Sequence, residues 1–185
     1  MEVVVFERYE IRLSGSGGQG LVLAGVILSE AAAIFDDYYA VQTQSYGPEA
    51  RGGASKAEVI IGTEPISYPK ATSPDLLLAL NQQSFDKYAG STKPGGLVIV
   101  DTDSVNPVSE ADIKIVSIPI IELARKKIGR EVVVNMIALG IIQELTTVVS
   151  FDSLEKAVKR RVPKGTEEIN TRALTLGREA AKEHH

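Results

Sequence analysis

The sequence predicts an α/β fold, with three layers, a mostly parallel sheet, some antiparallel pairing and C-terminal helices. Two observations predict it. Through the first two thirds of the chain, short apolar and β-branched runs alternate with helix-like segments, as in proteins that cover both faces of a parallel sheet with helices. The final third contains only helix-like segments. A length of 185 residues suits one domain, which we place at residues 1–183.

The first predicted strand, residues 9–13, runs directly into a glycine cluster and then into a helix. From residue 21 to residue 34 nearly every side chain is apolar or small. This composition predicts a helix that is buried on most of its surface. Asp36 and Asp37 are predicted to end it.

The second and third strands, residues 39–43 and 55–61, lie too close in sequence for a crossover helix between them, so we predict that they are antiparallel neighbours. Glycine and proline turns separate the elements that follow. These elements are strands at residues 75–80, 97–100 and 113–117, and helices at residues 82–89, 120–127, 132–145, 153–160 and 166–182.

Composition excludes several classes of function. The net charge of −4 argues against a nucleic-acid partner, and the longest charge-free stretch, residues 13–29, is too short in its apolar part to span a membrane. No basic segment followed by an apolar run opens the chain, so we expect a cytoplasmic protein. The two histidines, His184 and His185, resemble the remnant of a purification tag and are excluded from the chemistry.

The sequence contains no cysteine, which rules out a disulfide, a thiol nucleophile and thiolate ligation of an iron–sulfur cluster by this chain. Without an internal histidine it also lacks the usual groups of a Ser-His-Asp triad or a zinc enzyme. Any redox centre must therefore lie on another chain.

Residues 15–20 have the spacing G-x-G-x-x-G between a strand and a helix, as in Rossmann-like folds. Glycines permit positive φ angles and close approach of a ligand, and a helix N-terminus presents unpaired N–H groups to an anion or a carbonyl. A site for NAD also needs an acidic residue at the end of the second strand. Here that strand ends with Gln42, Thr43 and Gln44. The spacing therefore favours a tight strand–helix junction that packs on a neighbour over independent dinucleotide binding.

A second glycine-rich segment, residues 46–53, follows the second strand. Its Arg51 could clamp a carboxylate or a phosphate, or pair with Glu49 to hold the loop, and the structural role is favoured. Four other features also favour structural roles: a turn cap at Asp101, packing at Asn135 and Asn170, and a solvated basic face formed by Lys156, Lys159, Arg160, Arg161 and Lys164.

Six segments, taken in order and spacing, resemble the γ subunit of 2-oxoacid:ferredoxin oxidoreductases, the pyruvate/ketoisovalerate oxidoreductase γ-domain family. The loop at residues 42–53 is most similar to the 2-oxoglutarate type. The segments that carry the resemblance are residues 11–20, 46–53, 75–79, 95–101, 135–140 and 170–177.

The resemblance implies a complex that converts a 2-oxoacid and CoA to acyl-CoA, CO2 and reduced ferredoxin. It places thiamine diphosphate, magnesium and iron–sulfur clusters on α-, β- and ferredoxin-like δ-type partner subunits, with ferredoxin as acceptor. This chain then has no catalytic residue and binds no cofactor alone, but it completes the assembly and helps to receive CoA, whose phosphates suit a glycine-rich helix N-terminus. The candidate contact residues are Gly15, Gly17, Gly18, Gln19, Gly20, Tyr46, Glu49, Arg51 and Gly52.

Two alternatives remain open at this stage. One is a stand-alone Rossmann-like nucleotide-binding protein that uses residues 15–20, and the other is a purely structural subunit. For a γ-type subunit we expect an exposed apolar interface and self-association in the absence of partners. If the first two strands are parallel neighbours, both glycine-rich loops should lie side by side at the carboxyl edge of the sheet.

The missing cysteines make a first prediction. The chain purified alone should be colourless and should have no oxidoreductase activity, because it lacks cluster ligands and an acidic partner for a nicotinamide or flavin nucleotide. An absorption spectrum over about 300–700 nm, where flavins and iron–sulfur clusters absorb, checks this. A yellow or brown protein would contradict it.

Overall fold

A computed structural model describes residues 6–45, 55–108 and 112–184. They contain a six-stranded sheet of order β2-β3-β1-β4-β5-β6. β3 runs antiparallel to both of its neighbours, and the other pairings are parallel. The strands are β1 (Arg8–Gly15), β2 (Tyr39–Ser45), β3 (Ser55–Gly62), β4 (Leu76–Ala79), β5 (Leu97–Asp101) and β6 (Lys114–Ile118).

The helices begin and end close to the predicted positions. They are α1 (Leu21–Glu30), α2 (Gln82–Tyr88), α3 (Ile120–Leu123), α4 (Val134–Thr146), α5 (Phe151–Arg161) and α6 (Glu167–Ala181). The helices α1 and α3 each continue into a π-helical turn, at Ala31–Phe35 and Ala124–Ile128. Among the described helices, none has the length and apolar character that crossing a bilayer requires.

Two apolar cores make the protein three-layered. On one face of the sheet, residues such as Ile11 and Leu13 pack with α1, α4, α5 and α6. On the other face, Leu77 and Val98 pack with α2. The predicted fold class is therefore confirmed, including the antiparallel pairing of the second and third strands.

The neighbour of β1 differs from the expected one. β2 and β3 form an antiparallel hairpin, and β3 rather than β2 pairs with β1, at a register that sets Gly15 opposite Ser55. The expected adjacency of the first two strands is therefore wrong. Since each is antiparallel to β3, they still point in the same direction, and both end at the same edge of the sheet.

The backbones of α4 and α6 approach each other without intervening side chains. A Cβ atom at Gly140 would overlap the carbonyl oxygen of Leu174, and one at Gly177 would overlap that of Ile137. Every residue of α4 from Val134 to Gln143 is buried. The two glycines therefore hold α4 between the sheet and α6.

A charged cluster lies inside the face of the sheet that α2 covers. The guanidinium group of Arg12 donates to Glu58 Oε1 at 2.9 Å, and both side chains are only 7% exposed. Lys56 Nζ reaches the same oxygen at 3.0 Å, and Arg12 lies 5.1 Å from the centre of the Tyr88 ring. Burial raises the pKa of the Glu58 carboxyl group, but hydrogen bonds from Lys56 and Arg12 lower it by more, so that its pKa lies below the ordinary value.

This cluster predicts a pH-dependent contribution to stability. Glu58→Gln should lower the free energy of unfolding at neutral pH by about 3 kcal/mol, because it leaves the buried Arg12 without a counter-charge. Since the pKa of Glu58 is lowered in the folded state, its contribution is present above the ordinary carboxyl pKa and is lost as the pH falls through the folded-state pKa. The variant should therefore lose less stability than the wild type on acidification.

Urea unfolding at a series of pH values measures both effects. Glu155→Gln is the control, because Glu155 pairs with Lys159 at an exposed position one helical turn away. It should change stability by less than about 0.5 kcal/mol. Parallel pH profiles for the wild type and Glu58→Gln would contradict the assignment to this carboxylate.

Candidate functional site

The glycine loop leaves the end of β1 and enters α1 at the carboxyl edge of the sheet. Gly20 is the N-cap of α1 with φ of 72°, and Gly18 has φ of 89°. Both angles lie in the left-handed region, which L side chains rarely adopt. A Cβ atom at Gly18 would meet no heavy atom within 4 Å. Gly18 is therefore the position at which this loop is open to an incoming group.

Side chains fix the loop on the side of β4. Gln19 Oε1 accepts a hydrogen bond from the backbone N–H of Ser16 at 2.7 Å, and Asn81 Nδ2 donates to Ser16 Oγ at 2.9 Å. The folded-back Gln19 side chain fills the space beside Gly15, where a Cβ atom would overlap Gln19 Oε1. The loop after β1 is thus tied to the residue that caps α2.

Asn135 fixes the loop on the helical side. Its side chain is nearly fully buried in the first turn of α4, and its Nδ2 donates to the carbonyl oxygen of Gly20 at 3.1 Å. A Cβ atom at Gly20 would overlap this amide group. The predicted packing role of Asn135 is confirmed, and the contact brings the N-termini of α1 and α4 together.

The loop lies at the point where the strand order reverses. β1 and β4 are parallel neighbours, but α1 packs on one face of the sheet and α2 on the other. The connections after these strands therefore diverge at their carboxyl ends, which is where open α/β sheets bind ligands. The two helix N-termini add partial positive charge on one side of this point.

The geometry does not favour a dinucleotide site of the usual kind. β1 has β4 on one side and the antiparallel β3 on the other. Because β3 runs in the opposite direction, it begins at the carboxyl edge, at Ser55, and ends at the other edge. Ser45, where β2 ends, is one strand further away. Among the described residues, no strand end therefore presents an acidic group beside β1 where a ribose would need it.

The predicted contact residues fall into two groups. The carboxyl edge of β1 carries Gly15, Gly17, Gly18, Gln19 and Gly20. The second group, Tyr46, Glu49, Arg51 and Gly52, lies outside the described residues. Ser45 and Ser55, which flank that segment, lie at the same edge as Gly15. The positions of the four residues relative to the glycine loop stay a prediction.

The other singled-out residues have structural partners. Asp101 is fully buried, and its Oδ1 accepts from the N–H of Ile121 at 2.9 Å, so it caps α3 rather than the turn that follows it. Asn170 donates to the carbonyl oxygen of Thr166 at 2.8 Å, within its own helix. Both roles are structural, as predicted, but the expected cap on the turn after Asp101 is wrong, because its carboxylate reaches α3 instead.

The predicted basic face is exposed to solvent, but two of its members also have a structural partner. The guanidinium groups of Arg160 and Arg161 both pair with Glu30, whose side chain is buried in α1. They therefore fasten α5 to α1. Sequence reasoning also missed Asn81, although an asparagine directly after a buried strand is a typical N-cap signal.

No group of three or more His, Cys, Asp or Glu side chains within residues 6–45, 55–108 and 112–184 could hold a metal ion. The fold and this edge together define an open α/β protein with a rigid glycine loop at its switch point. At this edge the described residues offer backbone amides and helix ends.

Comparison with known proteins gives the family. Residues 10–180 match the family model described as pyruvate ferredoxin/flavodoxin oxidoreductase. The chain is 53% identical over 178 residues to the 2-oxoglutarate synthase subunit KorC of Methanocaldococcus jannaschii, with 95% of both chains covered. It is 33% identical to the ketoisovalerate oxidoreductase subunit VorA of Methanothermobacter thermautotrophicus, covering 97% of this chain and 38% of that one.

A solved structure agrees. The γ subunit of a keto/oxoacid ferredoxin oxidoreductase from Geobacter sulfurreducens superimposes with a TM-score of 0.86 at 49% identity, covering 95% of this chain and 99% of that one. The chain therefore belongs to the pyruvate ferredoxin/flavodoxin oxidoreductase family, as a subunit of the γ type. The resemblance seen in the sequence is confirmed, and the comparisons do not support the stand-alone nucleotide-binding alternative.

The contact between α4 and the loop makes a prediction. Asn135→Ala should lower the free energy of unfolding by about 1–2 kcal/mol, because it removes a buried hydrogen-bonding group. Amide hydrogen exchange in residues 16–23 should become faster, since Asn135 holds Gly20 in place.

Asn170→Ala is the matched control, because the side chain of that asparagine donates to Thr166, within its own helix and away from the glycine loop. It should leave exchange in the glycine loop unchanged. Equal effects of both substitutions on the loop would show that the contact with Gly20 has no special role.

Proposed function

We propose that this chain is the γ subunit of a 2-oxoglutarate:ferredoxin oxidoreductase. The choice of substrate is supported by comparing the sequence identities to relatives that are named for different 2-oxoacids. Identity is 53% and 48% to the 2-oxoglutarate synthase subunits of two methanogens, but 33% to a ketoisovalerate oxidoreductase subunit and 32% to a pyruvate synthase subunit. In the proposed reaction the complex converts 2-oxoglutarate and CoA to an acyl-CoA, CO2 and reduced ferredoxin.

In this proposal the redox and decarboxylation chemistry belongs to partner subunits in the cytoplasm. The partners are α-, β- and ferredoxin-like δ-type subunits. They would hold thiamine diphosphate with magnesium, which supplies the decarboxylation chemistry, and the iron–sulfur clusters, which supply electron transfer to ferredoxin. The absence of cysteine in this chain supports that division, because thiolate ligands must come from elsewhere. Without those partners the chain is expected to self-associate.

The chain's own part is to present the glycine loop to an anionic group, for which we propose a phosphate of CoA. The observation that carries this is a difference among the glycines of the loop. Gly15 and Gly20 are closed by Gln19 and Asn135, whereas Gly18 faces open space beside two helix N-termini. A loop held on both sides loses little entropy when a ligand binds to its open position. Arg51, in the second glycine-rich segment, would add a guanidinium group that can bind a phosphate through two hydrogen bonds.

Substitution of Gly18 tests this role. Gly18→Asp should raise the KM of the assembled complex for CoA about tenfold, because it places a negative charge at the loop's open position. Gly18→Asn is the matched control, with nearly the same size and the same cost for its left-handed backbone. It should change the KM much less, and kcat at saturating CoA should be similar in both.

Size-exclusion chromatography of the reconstituted complex distinguishes CoA binding by the loop from docking of a neighbouring subunit on it. If Gly18→Asp abolished assembly, the loop would be a docking surface for a neighbouring subunit. If both variants assembled with an unchanged KM for CoA, the loop would be a structural junction only.

A further inference from the structure

One polar side chain of the glycine loop lies on its exposed side. Ser16 is exposed, as are Gly17 and Gly18, which follow it. Its backbone N–H donates to Gln19 Oε1, but its hydroxyl group has one partner among the described residues, the side-chain amide of Asn81. The direction of the hydroxyl proton therefore depends on how that amide is oriented.

The orientation of the Asn81 amide follows from its second partner. The N–H of Ser84 donates to Asn81 Oδ1 at 2.8 Å, so the oxygen of the amide faces α2 and its nitrogen faces the glycine loop. Asn81 Nδ2 lies 2.9 Å from Ser16 Oγ. An amide nitrogen donates hydrogen bonds and does not accept them, so Ser16 Oγ is the acceptor. The hydroxyl proton of Ser16 consequently points away from Asn81.

The sheet fixes the distance between these two residues. β1 and β4 are parallel, with Ser14 opposite Ala79. The N–H of Leu80 donates to the carbonyl oxygen of Ser14 at 3.0 Å, which continues this pairing to the end of both strands. Asn81 therefore leaves β4 beside the point where Ser16 leaves β1. A contact held by two adjacent strands is preorganised before any ligand arrives.

Asparagine is the common N-cap residue that can make both of these bonds. A serine or threonine has one short hydroxyl group, which the cap itself uses, and an aspartate offers acceptors only. An aspartate at position 81 would cap α2, but it would accept the hydroxyl proton of Ser16 and turn it inward. The amide thus leaves the proton of Ser16 available to another group.

We propose that Ser16 donates its hydroxyl hydrogen bond to the anionic group that binds at the glycine loop, and that Asn81 is the positioning residue that directs this proton. The inference rests on the function proposed for the loop, and it adds a side-chain contact that the glycine spacing does not contain. A hydroxyl group that is already directed loses less freedom when the ligand binds. Its bond to a phosphate oxygen is charge-assisted and therefore stronger than a neutral one.

Steady-state kinetics of the assembled complex test the contact. Ser16→Ala should raise the KM for CoA about tenfold, because a hydrogen bond to a charged group is lost. The kcat at saturating CoA should be unchanged, since this bond contributes to binding alone. Ser16→Thr keeps the hydroxyl group and should restore most of the affinity. A serine with only a structural role would not separate KM from kcat in this way.

The positioning role is tested by a second substitution. Asn81→Ser keeps a favourable cap on α2 but does not reach Ser16. It should raise the KM for CoA about threefold by itself and have no further effect in the Ser16→Ala variant, because both changes act through one hydroxyl group. Gln82→Ser is the matched control, because the amide group of Gln82 bonds to Asn106 and Asp86 instead. It should leave the KM unchanged.

The Gly18 variants distinguish a failure of this inference from a failure of the proposed function. If Gly18→Asp raises the KM for CoA but Ser16→Ala does not, the loop binds CoA without the serine, and the inference is overturned. If neither variant raises it, the proposed contact with CoA fails and this inference fails with it. Additive effects of Ser16→Ala and Asn81→Ser would overturn the positioning role. A Ser16→Ala chain that folds but does not assemble would overturn the ligand contact, because the serine would then bind a neighbouring subunit.

Discussion

The close approach of α4 and α6 is the constraint on which the rest of the structure depends. Only glycine at positions 140 and 177 lets the two backbones touch, because any Cβ there would overlap a carbonyl oxygen of the opposite helix. This contact seats α4 deep against the sheet. Its first turn then reaches the end of β1, where Asn135 bonds to Gly20. The position of the glycine loop thus depends on a helix crossing more than 100 residues away in sequence.

The β2–β3 hairpin determines which strand lies beside β1 and which strand forms an edge of the described sheet. By placing an antiparallel strand beside β1, it removes the site where a dinucleotide-binding protein would hold a ribose. It also moves β2 to the outside of the sheet. The buried pair of Arg12 and Glu58 holds β1 and β3 together on the face that α2 covers. One topological choice therefore explains both the antiparallel neighbour of β1 and the position of β2 at an edge of the described sheet.

The sequence predicted the elements well because local signals determine them. Alternation and glycine turns located every strand, and the short connection between β2 and β3 required antiparallel pairing. The same connection does not determine which of the two strands lies beside β1, and that neighbour was predicted wrongly. The burial of Arg12 by Glu58 and by Tyr88 of α2 could not be predicted, because both partners are distant in sequence. Asn135 was correctly assigned to packing, but its partner Gly20 could not be found by sequence spacing.

The glycine motif itself shows why its spacing is a weak indicator of function. Gly15 is required by the side chain of Gln19, and Gly20 by the side chain of Asn135 and its own left-handed backbone. Internal packing thus accounts for Gly15 and Gly20 without any ligand. Gly18 differs, because its left-handed conformation opens onto empty space. Gly95, Gly129 and Gly165 share these two properties at ordinary turns and helix ends, so the properties alone do not define a binding site. What distinguishes Gly18 is its place at the carboxyl edge beside the N-terminus of α1, and the proposed contact with CoA rests on that place rather than on the spacing of the motif.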